Sequence, residues 1–198
     1  MKAAIVAPGE SLRFWHGTMC GCKACVPYDL VLAVNRAILA CWGECTHWVF
    51  LDAYTCQMAV NAGAGYLGPR CVTTLREWDL VCARYRYMKA CQFVDRDRFE
   101  KLPAELEWRV YTVTTAVAAA VELGARRIDC YGVDQKGTAD WDGFTDARQR
   151  RNPRRWERER RIWTAVCNHA AAIGIQMRAA RWVELNQPTR ITATCASS

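Results

Sequence analysis

The sequence lacks any apolar run long enough to cross a membrane. A membrane-spanning helix needs about 20 apolar residues in succession, and no stretch of the 198 residues approaches that length. The N-terminus also lacks the apolar core of a secretory leader, because about five apolar residues separate Lys2 from Pro8, whereas such a core has about 7–15. We therefore expect a cytoplasmic protein with no membrane span.

Histidine is scarce, with three residues in the whole chain. His47 precedes a predicted strand and His169 lies among apolar residues of a predicted helix, so we expect both to be structural. His16 lies near the first predicted turn. It is the one histidine that we consider as a general base, since imidazole titrates near neutral pH.

Cysteine, in contrast, is abundant, with 12 residues. Disulfides are typical of small secreted domains, which this chain does not resemble, so we expect reduced thiols that act as small apolar residues. Five of the cysteines have the spacing of two zinc half-sites: Cys20, Cys22, Cys25, Cys41 and Cys45. The alternative, which we favour, is that Cys41 and Cys45 share one helix face and pack in the core, so no metal site is assigned.

The net charge of +7 is concentrated in one segment. Residues 147–161 contain eight arginines and two glutamates. Such a run either binds the phosphates of a nucleotide or of nucleic acid, or forms a solvated helix face. We favour the solvated face over nucleic-acid binding and leave contact with a ligand phosphate open. The cations considered for either contact are Lys136, Arg151, Arg154 and Arg155.

Short apolar strands alternate with helices along most of the chain. The predicted strands are 2–7, 29–35, 47–52, 71–74, 126–134 and a last one opening at 174, with a further strand considered at 87–93. The predicted helices are 38–45, 55–62, 114–123 and 153–173, and most of 76–108 is left unassigned. The alternation predicts a single Rossmann-like α/β domain, with a mainly parallel sheet and helices on both faces.

This domain, 1–198, is interpreted as three consecutive parts. Residues 1–134 form a nucleotide-binding core, residues 135–161 form an arginine-rich, lid-like segment, and residues 162–198 add a closing helix and strand. In sheets of this kind, ligands bind beyond the carboxyl ends of the strands. We therefore look for a ligand cleft among the polar residues that follow the predicted strands.

Four predicted strands end in such residues. The first runs into Gly9, Glu10 and Ser11, and the others end at Asn35, Asp52 and Asp134. Backbone N–H groups and the Ser11 hydroxyl suit an anion, and the Asn35 amide suits a base or ribose. Asp52 suits a sugar hydroxyl or a catalytic base, while ordinary capping is the alternative explanation of each.

The loop after Asp134 crowds charged and aromatic residues beside the expected cleft. Asp140 and Asp142 in this loop either form a general acid–base pair or belong to an ordinary polar loop. The catalytic candidates from the sequence are therefore Asp134, Asp140, Asp142 and His16.

Four segments, taken in order, resemble a known group of proteins. They are APGESL at 7–12, LAVNR at 32–36, VFLD at 49–52 and LGARRIDCYGVD at 123–134. Together they resemble the fold shared by bacterial sialyltransferases of the CMP-sialic-acid type, related Rossmann-like proteins and archaeal hydroxymethylpterin pyrophosphokinases. The resemblance covers residues 2–134, and a phage origin is part of this interpretation.

The resemblance implies a nucleotide site. In the sialyltransferases the first turn and the strand-ending asparagine contact the donor nucleotide, and a Thr/Ser segment that opens the helix before Leu-Gly lines the same pocket. These contacts carry over to Gly9, Ser11, Asn35 and, by spacing, Thr112, and we group Glu10, Asp52 and Gly132 with them as nucleotide-binding candidates. The chain departs from the group in its first turn, where Glu10 would repel a phosphate, and in lacking a match to the lid segment with its catalytic histidine.

We therefore predict a nucleotide-binding transferase, most simply glycosyltransferase-like, whose donor is a nucleotide or nucleotide sugar. No cofactor is assigned and no oligomeric state is predicted. Two alternatives stay open. One is pyrophosphokinase-type transfer with Mg²⁺ held by carboxylates such as Asp134 and Asp140. The other is a non-catalytic, nucleic-acid-associated binding protein that uses the arginine-rich helix.

Overall fold

Seven strands of the computed structural model form one parallel sheet, in the order β5-β4-β3-β2-β1-β6-β7. The structure describes residues 1–9, 11–12, 15, 27–64, 69–136, 139–145 and 153–179. The predictions made for Glu10, His16, Arg151 and the cysteines at 20, 22 and 25 lie outside the described residues. The strands are β1 (Lys2–Val6), β2 (Leu30–Val34), β3 (His47–Val49), β4 (Arg70–Thr73), β5 (Phe93–Asp95), β6 (Arg127–Tyr131) and β7 (Gln176–Ala179).

Helices cover both faces of this sheet. They are α1 (Ile38–Cys41), α2 (Ala53–Asn61), α3 (Leu75–Arg84), α4 (Thr112–Glu122) and α5 (Pro153–Ala172). Helices α1, α2 and α3 pack with one apolar cluster and α4 and α5 with the other. The predicted Rossmann-like α/β class is confirmed, and none of the helices in the described part of the chain is long and apolar enough to span a membrane.

The strand order reverses beside β1. From β1 the chain adds β2 to β5 on one side, and it then returns to add β6 and β7 on the other. The helices therefore change face at β1 and β6, which leaves an opening at the carboxyl ends of these two strands. All five residues of β2 are buried, as expected for a strand covered on both faces.

Helix α3 lies in the segment that the sequence analysis left unassigned, and its signals were present there. The Thr74 hydroxyl accepts a hydrogen bond from the Glu77 amide at 3.2 Å, as in a helix-starting Thr-x-x-Glu pattern. Trp78, Val81 and Cys82 then bury one face at helical spacing. The tryptophan and the charged residues around it obscured this periodicity.

Two further elements differ from the prediction. The strand considered at 87–93 begins only at Phe93, because Arg86–Ala90 forms a 3₁₀ helix whose Met88 is buried. Helix α1 stops at Cys41, so Cys45 does not share its face. Both cysteines are nevertheless buried in the core as predicted, and their thiols donate to backbone carbonyls, Cys41 to Ala37 at 3.3 Å and Cys45 to His47 at 3.0 Å.

The turns after β1 and β6 touch each other through glycine backbone. The Ala7 amide donates to the Tyr131 carbonyl at 2.8 Å, and the Gly9 amide donates to the Gly132 carbonyl at 2.9 Å. A Cβ atom at Gly132, where φ is +68°, would overlap the Ala7 carbonyl oxygen. Glycine is therefore required at this position by its neighbour as well as by its backbone angle.

We predict that Gly132→Ala destabilises the protein far more than Gly143→Ala. Both glycines have positive φ, but a Cβ at Gly143 meets no atom within 4 Å. The control should therefore lose only about 1 kcal/mol of unfolding free energy from backbone strain, whereas Gly132→Ala must also separate the two turns. Urea denaturation of both variants measures the difference, and equal losses would contradict the close approach.

Candidate functional site

A cleft lies at the carboxyl ends of β1, β2 and β6, where the strand order reverses. It has a volume of about 80 Å³ and opens to solvent, and its walls include the first turns of α4 and α5. Ligand sites in α/β proteins commonly lie at this position. The predicted site residues that line it are Gly9, Asn35, Thr112, Gly132, Asp134, Lys136, Asp140 and Arg155.

The first turn is held in place by Asp134. The Ser11 amide donates to one oxygen of this carboxylate at 2.6 Å, and the Ser11 hydroxyl donates to the other. The same hydroxyl accepts from the Gly132 amide at 3.1 Å. Two predicted site residues, Ser11 and Asp134, are thus engaged with each other, and their hydrogen bonds orient the turn that forms one wall of the cleft.

Asn35 ends β2 with an unusual backbone. Its φ is +52°, in the left-handed region that asparagine tolerates better than most residues. Its carbonyl oxygen accepts from the Trp48 indole at 2.9 Å, which fixes the turn against β3. The side-chain oxygen Oδ1 is buried and has no hydrogen-bond partner in the described structure. An unpaired buried acceptor next to a cleft is a group that a ligand can satisfy.

Helix α4 directs its N-terminus at the cleft. Tyr111 is the residue before the helix, and its side chain makes no hydrogen bond to the first N–H groups. The next two residues, Thr112 and Val113, line the cleft. The hydroxyls of Thr114 and Thr115 instead donate backwards to the Trp108 carbonyl, at 2.7 and 3.2 Å. The first N–H groups of the helix and the positive end of its dipole therefore favour an anion here.

The arginine-rich helix divides into three parts. Arg155 lines the cleft, and Lys136 adds a second cation from the loop after β6. Arg158 and Arg161 both pair with Glu107, each at 2.9 Å, in exposed ion pairs between α5 and the segment before α4. Arg154 is exposed and does not line the cleft.

Arg36 holds the loop 139–145 against the cleft. Its buried guanidinium donates to Asp140 and to Asp142, with 2.9 Å for the shortest contact to each. The same group lies 3.8 Å from the ring centroid of Phe144, and the Trp141 amide donates to the Pro8 carbonyl at 3.0 Å. Asp140 and Asp142 were predicted as an acid–base pair. In the structure, both instead form ion pairs with the same arginine, Arg36.

The ion pair also affects the pKa of Asp142. Burial acts to raise the pKa of this carboxyl, but the hydrogen bonds from Arg36 and from the Phe144 amide outweigh that effect, so the pKa lies below its usual value. Asp142 is therefore ionised over the physiological range and is kept so by its partners.

Asp52 caps α2 and does not line the cleft. Its carboxylate accepts from the Thr55 amide at 2.6 Å, in the position where aspartate is a favoured helix cap. The capping alternative of the sequence analysis accounts for this contact. Within the part of the chain that the structure describes, no three His, Cys, Asp or Glu side chains are arranged to hold a metal ion.

Several cleft residues were missed from the sequence. Gln135, Tyr111, Trp156 and Glu159 line the cleft but carry no motif. The sequence also contains GAGYLG at 63–68, which has the spacing of a dinucleotide-binding turn. It follows α2 and precedes β4, the reverse of the strand–turn–helix order that such a turn needs.

No protein-family model matches the chain, and no curated protein sequence is significantly similar to it. Solved structures that are similar include the sialyltransferase CstII from Campylobacter jejuni with the substrate analogue CMP-3FNeuAc. That match has a TM-score of 0.52 and 13% identity, and covers 90% of this chain and 80% of the other. A structure of CST-II with a trisaccharide acceptor and CMP has a TM-score of 0.53, 14% identity and the same coverage.

These comparisons confirm the resemblance to the sialyltransferases at the level of fold. Identities of 13% and 14% show a shared architecture and no more. The part of the predicted resemblance that concerned the pyrophosphokinases, and the phage origin, receive no support from them.

We predict that Arg36→Met strongly destabilises the protein, by about 3–5 kcal/mol, because it leaves the Asp140 carboxylate buried without its cation. The unfolding free energy of Arg36→Lys should lie between those of Arg36→Met and the native protein. An ammonium group keeps the positive charge but cannot donate to both aspartates as a planar guanidinium does. Arg70→Met is the control, because the Arg70 side chain is exposed and donates to an uncharged partner, Gln92, at 2.7 Å. Equal unfolding free energies for the two methionine variants would contradict this assignment.

We also predict that the stabilisation from Asp142 is lost in acid. A carboxyl whose pKa is lower in the folded than in the unfolded state stabilises the fold above the unfolded value, near 4, and loses that effect as the pH falls through the folded value. The difference in urea midpoint between the native protein and Asp142→Asn should therefore shrink from pH 6 to pH 2.5. Asp79→Asn, at an exposed position of α3, serves as the control.

Proposed function

We propose that the chain is a glycosyltransferase-like transferase that uses a nucleotide-linked donor. The observation that carries the proposal is the cleft at the reversal of the strand order, where the uncapped N-terminus of α4 meets two cationic side chains, Lys136 and Arg155. Backbone N–H groups at a helix N-terminus together with Lys or Arg are suited to a phosphate group.

Three carboxylates of the described residues line the cleft, and two of them, Asp134 and Asp140, are held by contacts within the protein; the third is that of Glu159. Both oxygens of Asp134 accept hydrogen bonds from Ser11, and Asp140 is paired with Arg36. The first N–H groups of α4, with Lys136 and Arg155, are the groups of the cleft that would attract negative charge on a ligand. The structural neighbours support the proposal further, since their structures contain CMP or a CMP-linked substrate analogue in the same overall fold.

The described residues suit one step of glycosyl transfer in particular. In this reaction the bond between the anomeric carbon and the donor phosphate breaks, a bond to an acceptor oxygen forms, and the acceptor loses a proton. Negative charge develops on the departing phosphate. The first N–H groups of α4, together with Lys136 and Arg155, would stabilise that charge, and donors fixed before the reaction do so most effectively.

Pyrophosphoryl transfer is a poorer fit to the same cleft. It would need Mg²⁺ on carboxylates such as Asp134 and Asp140, but Ser11 holds the first and Arg36 the second. Releasing either would break the contacts that form the cleft walls. We therefore derive no step that uses a metal ion on these residues.

We predict that titration calorimetry with a panel of nucleoside mono- and diphosphates, and their sugar conjugates, will find at least one that binds. Arg155→Met and Lys136→Met should each weaken that binding about 10-fold, because each removes a charged hydrogen-bond donor worth about 1.5 kcal/mol or more. Arg154→Met is the matched control, because it removes an arginine one position away that does not line the cleft.

A protein that binds none of these compounds would overturn the proposal. So would binding that Arg154→Met weakens as much as Arg155→Met does, since the contact would then depend on general positive charge. Transfer or release of sugar from the bound donor is the second measurement, because binding alone does not establish a transferase.

A further inference from the structure

A second carboxamide side chain lines the cleft and has no role in the assignments above. Gln135 follows Asp134 directly and lines the same cleft as Asn35. Its side-chain nitrogen Nε2 is buried and has no hydrogen-bond partner in the described structure. A buried N–H group without a partner is costly, and a native protein retains one chiefly where water or a ligand satisfies it.

The backbone of Gln135 is held in an unfavourable conformation. Its φ is +51°, in the left-handed region that glycine and asparagine occupy more readily than glutamine. The contacts around it keep it there: Ser11 holds the preceding Asp134, and the Gln135 carbonyl accepts from Arg160 at 3.3 Å. Strained residues of this kind concentrate at ligand sites, where the surrounding structure fixes them.

Gln135 and Asn35 are complementary in what they leave unpaired. Asn35 leaves an acceptor, Oδ1, and Gln135 leaves a donor, Nε2. The two residues come from the ends of β2 and β6, on either side of β1. A planar ligand edge with both an N–H group and an acceptor atom would satisfy both amides, and a nucleobase has such an edge.

We propose that Gln135 is a specificity-determining residue that reads the base of the bound nucleotide through its amide N–H group. The proposal rests on the nucleotide site proposed above and deepens it. The half-buried side chain has rotatable terminal bonds, so its amide can turn toward a ligand without moving the backbone. Phosphate recognition by Lys136 and Arg155 is independent of the base and provides no such selection.

The test compares nucleotides that carry different bases and the same phosphate group. The affinities of the native protein for the four nucleoside monophosphates should differ. Gln135→Met should reduce the ratio of the highest to the lowest of these affinities by about 3- to 10-fold, which is the effect of one lost hydrogen bond. Gln135→Glu should weaken the preferred base at least as much, since an acceptor replaces the donor. Gln176→Met, at an exposed glutamine, is the control.

Gln135→Gly is a second variant, which distinguishes the loss of the amide from a loss of folding. Glycine adopts the left-handed conformation without strain, so this variant should keep or raise the melting temperature while losing the base preference. An unchanged ratio in Gln135→Met, as expected if a buried water satisfies the amide, would overturn the proposal. Native protein that binds all four bases equally would also overturn it and leave the nucleotide site standing, whereas absence of any binding would refute both.

Discussion

The contact between the turns that follow β1 and β6 is the constraint on which the cleft depends. Glycine at positions 9 and 132 lets the two backbones approach to hydrogen-bond distance, and Ser11 and Asp134 close the same contact with side chains. The two strands are neighbours in the sheet but 121 residues apart at the Gly132–Ser11 bond. One local contact thus joins the first and second halves of the fold at the place where a ligand would bind.

Charge in the cleft is arranged by pairing as much as by composition. The chain is basic overall, yet several of its arginines bind carboxylates of the same chain, such as Arg36 with Asp140 and Arg158 with Glu107. In the cleft, the N-terminus of α4 and the cations Lys136 and Arg155 lie beside the carboxylates of Asp134, Asp140 and Glu159. The net charge of the sequence therefore says less about the ligand than the position of these few groups.

Much of the fold was predictable because parallel strands and their helices leave local patterns. The apolar run of β2 and the alanine- and valine-rich α4 were both identified, since burial on all sides requires continuous apolar sequence. Helix α3 was missed although Thr74 and Glu77 form its capping pattern. Asp52 and Asn35 were equally plausible from the sequence, but one caps a helix and the other faces the cleft.

The sequence by itself determined the class of the fold and the edge of the sheet where a site would lie, because hydrophobic periodicity and strand-ending residues are local properties of the chain. Only the tertiary structure decided which polar groups remain available at that edge. Asp134, Asp140 and Asp142 read as catalytic carboxylates until their partners, Ser11 and Arg36, are seen. Pairing between residues more than 100 positions apart leaves no local pattern, so the chemistry of the cleft was set by contacts that only folding brings together.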